Sequence, residues 1–162
     1  MKLLTYAECA IRPRRPYTGQ AMATSEIIID GRATALVVTG AILEAAVEWE
    51  DKRLLFLTDD ILHEDTLRMI LLDAQHRIID SAALGTAYST GVFSNLQLLP
   101  PNELTFRFIG GITWKLVLLE SPEFALPCLS DPRGVSRPWK FCRSFRLEGK
   151  PLPDIPDERA AR

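Results

Sequence analysis

Apolar residues recur along this chain mostly at every second position, the period of a half-buried β-strand. From Ala41 to Trp49, residues Ala41, Leu43, Ala45, Val47 and Trp49 share one face, with Ile42, Glu44, Ala46 and Glu48 on the other. Ala, Leu and Glu also favour helix, but alternation sustained through Trp49 predicts a strand. Arg53–Thr58 (RLLFLT) reads as a buried strand. Leu67–Leu72 and Arg77–Ser81 flank the polar quartet Asp73-Ala74-Gln75-His76, the layout of a β-hairpin. A second hairpin joins Val92–Leu99 to Leu104–Ile109 through Pro100-Pro101-Asn102-Glu103, because proline presets a turn and donates nothing to a ladder. Gly110-Gly111 leads into Ile112–Glu120, where Ile112, Trp114, Leu116 and Leu118 share a face. In the last strand, Trp139–Leu147, residues Trp139, Phe141, Phe145 and Leu147 are expected inward and Lys140, Ser144 and Arg146 outward. Arg143 interrupts the inward face, which places it near a sheet edge or beside an ion partner.

Upstream, Ser25–Asp30 and Thr34–Thr39 are expected to pair across Gly31-Arg32-Ala33, and Leu3–Ala10 supplies a further strand. Residues 11–20 read as a loop, since Pro13 and Pro16 break a ladder. Ile61–Arg68 and Pro122–Cys128 leave the only room for helix. The pattern predicts a mainly-β fold, an antiparallel sandwich or flattened barrel of about eight to ten short strands with little helix. Residues 1–148 form one expected domain. Residues 149–162 carry three prolines and little apolar content, the composition of a mobile tail.

Composition narrows the class without adding an activity. A chain of 162 residues with 47% hydrophobic and 25% charged residues has the proportions of one soluble globular domain. Wholesale disorder, a collagen-like chain and a disulfide-stapled mini-protein are excluded. With 19 Lys+Arg against 21 Asp+Glu, the net charge of −2 lacks the basic excess of nucleic-acid or membrane binders. Cys9, Cys128 and Cys142 form no Cys-x-x-Cys pair and read as reduced thiols. Cys128 stands in an apolar context that makes a thiol inert. Cys142 has Lys140, Arg143 and Arg146 close in sequence, yet a buried strand position is expected for it. The first residues lack the run of roughly 7–15 apolar residues of a secretory signal, so a cytoplasmic protein is expected.

Candidate chemistry centres on Asp59-Asp60-Ile61-Leu62-His63-Glu64-Asp65. Asp59, Asp60, His63, Glu64 and Asp65 combine carboxylates and imidazole in one short segment, a composition able to hold a divalent metal. The glycine of an EF-hand loop is missing, and a solvated acidic connection explains the segment as well. His76, in the expected hairpin turn, has neither cleft nor partner for general-base work. In the loop Gly85–Gly91, Tyr88 and Ser89 are the residues best placed to touch a small ligand, although no P-loop ending follows. No nucleophile elbow, dinucleotide fingerprint, His-Glu-x-x-His or kinase set occurs, so no cofactor is expected.

Charge layout is the main functional signal. Between Glu44 and Asp65, eight acidic residues (Glu44, Glu48, Glu50, Asp51, Asp59, Asp60, Glu64, Asp65) face only Lys52 and Arg53. Between Asp131 and Arg146, five basic residues (Arg133, Arg137, Lys140, Arg143, Arg146) face only Asp131, and Arg12, Arg14 and Arg15 form a second basic cluster. An acidic face would steer a basic partner. The sequence therefore points first to a non-enzymatic interaction module, most concretely an immunity- or inhibitor-type protein that neutralises a basic protein such as a toxin nuclease. A small-ligand binder with a cavity lined by Phe93, Phe106, Phe108 and Trp114 is the second reading. A metal-dependent hydrolase built on residues 59–65 is the third. Nucleic acid and membrane are not expected partners.

Overall fold

The computed structural model describes residues 1–61, 65–85, 91–127 and 129–149. These residues form thirteen antiparallel strands and, among the described residues, no helix. The mainly-β, sandwich-like expectation holds, with more strands than anticipated and three layers instead of two.

The central layer is a six-stranded sheet in the order β1 (Lys2–Leu3), β5 (Ile42–Trp49), β6 (Lys52–Thr58), β7 (Leu67–Leu72), β8 (Ile78–Leu84), β12 (Val135–Ser136). A four-stranded sheet, β13 (Cys142–Glu148), β11 (Thr113–Phe124), β10 (Glu103–Arg107), β9 (Ser94–Leu99), covers one face. A three-stranded sheet, β2 (Cys9–Arg15), β3 (Thr24–Ile29), β4 (Arg32–Thr39), covers the other. This stacking explains the apolar runs RLLFLT and LRMILL, since a strand with both faces covered needs no polar side. Along β6 and β7, Leu54, Phe56, Leu67, Met69 and Leu71 meet Leu104, Phe106, Trp114, Leu116 and Phe145 of the four-stranded sheet. Leu55, Leu57, Ile70 and Leu72 point the opposite way, onto Cys9, Ile27, Ile29 and Val38.

Phe93, Phe106, Phe108 and Trp114, proposed above as cavity lining, stand in or against this core. Phe56, Phe93 and Phe106 pack with ring centroids 5.1–5.7 Å apart.

Turn chemistry sets several boundaries. β3 and β4 turn at Asp30-Gly31, with φ of 49° and 73°, instead of Gly31–Ala33. Both residues need the left-handed region, which Asp-Gly supplies cheaply. In the hairpin around Asp73, the carboxylate Oδ1 accepts the N–H groups of Gln75 and Arg77, each at 2.9 Å. Residues 11–15 are strand and not loop: Pro13 sits opposite Ser25 on the edge strand β2, where a missing N–H costs the ladder nothing. Pro122–Phe124 belong to β11, and Ala125–Pro127 are not helical. Of the other helix candidate, Ile61, Asp65 and Thr66 are irregular and Leu67 opens β7.

The final strand begins at Cys142, three residues later than its alternation implied. Trp139 and Phe141 are therefore exposed, not inward. Ser144, expected outward, is buried. Cys142 is exposed, whereas Cys9 is buried and its thiol is pushed up to about 11 by loss of water. β13 is an edge strand and Arg143 lies 3.8 Å from Asp131, as its interruption of the pattern implied.

Candidate functional site

Strand geometry separates the eight acidic candidates. β5 and β6 form a hairpin closed at Trp49–Lys52 and open at Ile42–Thr58. Glu48, Glu50 and Asp51 stand at the closed end, while Glu44, Asp59, Asp60 and Asp65 stand at the open end. At ~3.3 Å per residue the two groups lie about 20 Å apart. Most are also engaged. Glu48 lies 3.7 Å from Arg53. Lys52 lies 3.5 Å from Glu50 and 3.2 Å from Asp51, and stacks on Trp49. Glu44 accepts from the Thr58 hydroxyl at 2.7 Å.

Asp59 is buried and accepts from Arg68 Nε at 2.9 Å and Nη2 at 2.7 Å. Asp65 Oδ1 accepts the N–H groups of Asp59 and Thr66, and burial pushes its carboxyl above the usual range. His63 and Glu64 lie outside the described residues, as do Tyr88 and Ser89. Among the described residues, no three His, Cys, Asp or Glu side chains are grouped to hold a metal. His76 is half-buried and turns its Nε2 toward Arg53 Nη1 at 3.4 Å.

The basic segment behaves differently, because the chain there folds back on itself. β11 has twelve residues, and its last five, Glu120–Phe124, leave the core and are exposed. They pair with the start of β13, Phe124 opposite Cys142, after a break in register. Residues 129–141 loop back beside β8 and are pinned there by β12. The result is a cleft of about 460 Å³ between β8 and this loop, lined among others by Ile78, Leu126, Pro132, Trp139, Lys140 and Arg143.

A buried ion network floors the cleft. Arg137 donates Nε to Asp131 at 3.0 Å, Nη1 to Asp80 at 3.1 Å and Nη2 to the Phe145 carbonyl at 3.0 Å. Its guanidinium also lies over the Phe145 ring, 4.3 Å from the centroid. Asp80 Oδ2 accepts the Ser144 N–H at 2.5 Å and the Phe145 N–H at 3.4 Å, so a side chain closes the open edge of β13. Arg143 Nη1 donates to the Ser130 carbonyl at 3.1 Å. Four cations (Arg133, Arg137, Lys140, Arg143) line the cleft against two carboxylates, Asp80 and Asp131.

Beside the cleft lies an aromatic group on the end of the two-stranded ribbon that Glu120–Phe124 forms with the start of β13, the ribbon end. Phe124 and Phe141 stack at 6.4 Å, and Trp139 meets Phe141 edge-on at 6.3 Å. Trp139 is 76% exposed, Phe124 71% and Leu129 80%, with Leu126 and Phe141 about half exposed. Large apolar groups gathered on a surface in this way mark interaction sites more often than isolated ones do. Sequence periodicity hid them, since it turned Trp139 and Phe141 inward. The usable signal was a proline-broken stretch (Pro122, Pro127, Pro132, Pro138) that keeps large apolar residues with no strand period to bury them.

Comparison with known protein families, curated proteins and solved structures finds no match.

Proposed function

We propose that this protein is a non-enzymatic protein-interaction module whose docking surface is the Phe124–Phe141–Trp139 ribbon end with the adjoining cleft. The observation that carries the reading is this aromatic group, exposed on a frame fixed by the Asp80–Arg137–Asp131 network. Aromatic residues dominate binding energy at protein interfaces, and a rigid frame lowers the ordering cost of association. The narrower reading, an immunity- or inhibitor-type protein holding a basic partner on an acidic face, draws on Glu48, Glu50, Asp51 and Asp60. Those residues are divided between two ends of a hairpin, so they offer less continuous surface than the ribbon does.

The test is affinity capture from the native host at low salt, comparing the wild type with Phe141→Ser and with Glu50→Lys/Asp51→Lys. A partner lost with Phe141→Ser and kept by the charge-reversed variant is expected. A partner kept by Phe141→Ser and lost on charge reversal would overturn the assignment and restore the acidic face.

A further inference from the structure

We infer that the ribbon end and cleft together receive an extended segment of a partner that alternates acidic and apolar side chains. An apolar side chain would lie on Phe124, Trp139 and Phe141, and a neighbouring carboxylate would sit between Arg133 and Lys140. This rests on the protein-binding reading above and adds the chemistry of the partner. Charge complementarity carries it. The cleft lining holds two more cations than carboxylates. Within it, Asp80 and Asp131 are consumed by Arg137. Arg133 and Lys140 have no carboxylate partner among the described residues, and Lys140 Nζ is anchored at the cleft wall by the Ile79 carbonyl at 2.7 Å. A fixed ammonium beside an aromatic surface selects an anionic group next to an apolar one.

Other occupants fit less well. A second copy docked through this same surface about a two-fold axis would bring two patches of the same positive excess together. A bilayer would cover the aromatics yet leave the concave cleft unfilled. A nucleic acid strand needs a row of phosphate contacts, whereas the local excess is two charges on a chain of net charge −2.

Trp139 provides the readout, because Trp49 and Trp114 are buried and only Trp139 faces water. The full chain is titrated with short fluorescein-labelled peptides of alternating Asp-Phe, Lys-Phe and Asp-Ser, following anisotropy, and with unlabelled peptide, following Trp139 emission. Only the Asp-Phe peptide is expected to bind and to shift Trp139 emission to the blue. Its affinity should fall at least about fivefold in Arg133→Glu/Lys140→Glu, in Phe141→Ser and on raising salt. These three side chains are at the surface, and unchanged thermal unfolding would confirm that the variants fold.

Equal binding of the Lys-Phe peptide, or indifference to Arg133→Glu/Lys140→Glu, would overturn the acidic partner while leaving the ribbon as a docking surface. Host-partner capture indifferent to Phe141→Ser would overturn both. Binding to phosphatidylcholine–phosphatidylserine vesicles or to oligothymidylate without peptide binding would assign the site to a membrane or to nucleic acid. Concentration-dependent dimerisation abolished by Phe141→Ser would assign it to a second copy. Each of these would contradict the inference.

Discussion

The acidic stretch from Glu44 to Asp65 and the basic stretch from Asp131 to Arg146 look alike as sequence: each gathers charge of one sign in a short window. In the fold they part company. The acidic stretch runs along a strand pair, and extended backbone carries near neighbours far apart, to opposite ends of the β5–β6 hairpin. The basic stretch is mostly loop and returns over β8, so residues distant in sequence, Asp80 and Arg137 among them, meet in one place. Charge density in a sequence becomes charge density on a surface only where the chain turns back. The same contrast separates two buried carboxylates. Asp59 binds one arginine within its own region, and Asp80 ties β8 to β13 across two sheets.

That difference should appear first in stability. Asp80→Ala removes one of the two carboxylates paired with Arg137, leaving Asp131, and frees two N–H groups of β13. It should cost about 3–5 kcal/mol, read by urea or thermal unfolding. Phe145→Ala, in the core beneath Arg137, should cost a similar ~3–5 kcal/mol. Asp59→Ala leaves Arg68 with a quarter of its side chain still exposed, so about 2 kcal/mol is expected. Equal losses for Asp59→Ala and Asp80→Ala would remove the distinction between a local pair and a link between sheets.

A smaller effect follows from Glu26, a buried carboxylate of β3. Hydrogen bonds from Arg12 and the charges of Arg12 and Arg14, both 2.5 Å from its Oε2, hold its carboxyl below the usual range. A depressed folded pKa contributes stability that is complete above the ordinary value near 4.5 and lost as pH falls through the lowered one. Urea midpoints should therefore drop on acidification toward pH ~3, and Glu26→Gln should flatten that part of the curve. The smallest changes belong to the surface. Phe141→Ser and Glu50→Lys should each shift unfolding by no more than about 0.5 kcal/mol. Only Phe141→Ser should abolish capture of a partner.

Much of the fold was legible because period-two alternation and turn residues act locally. The Asp73–His76 and Pro100–Asn102 turns, and the strands they join, follow from such signals. The third layer was not legible. That RLLFLT is buried is visible in its composition, but which strands cover each face depends on pairings distant in sequence. Pro13 misled for a related reason: whether it breaks a strand depends on that strand being an edge. At the candidate site, alternation counted from Trp139 assumed a strand that begins only at Cys142, and so placed exposed aromatics in the core. Arg143 was read correctly, since a charge on an inward face demands an edge or a partner wherever the strand lies.

Hydrogen–deuterium exchange of the full chain, with and without its captured partner, tests the central claim most directly. The account predicts protection over residues 120–126 and 137–143, with the β5–β6 turn at Glu50-Asp51 unchanged. Protection confined to residues 44–60, with the ribbon end exchanging as in the free protein, would contradict it.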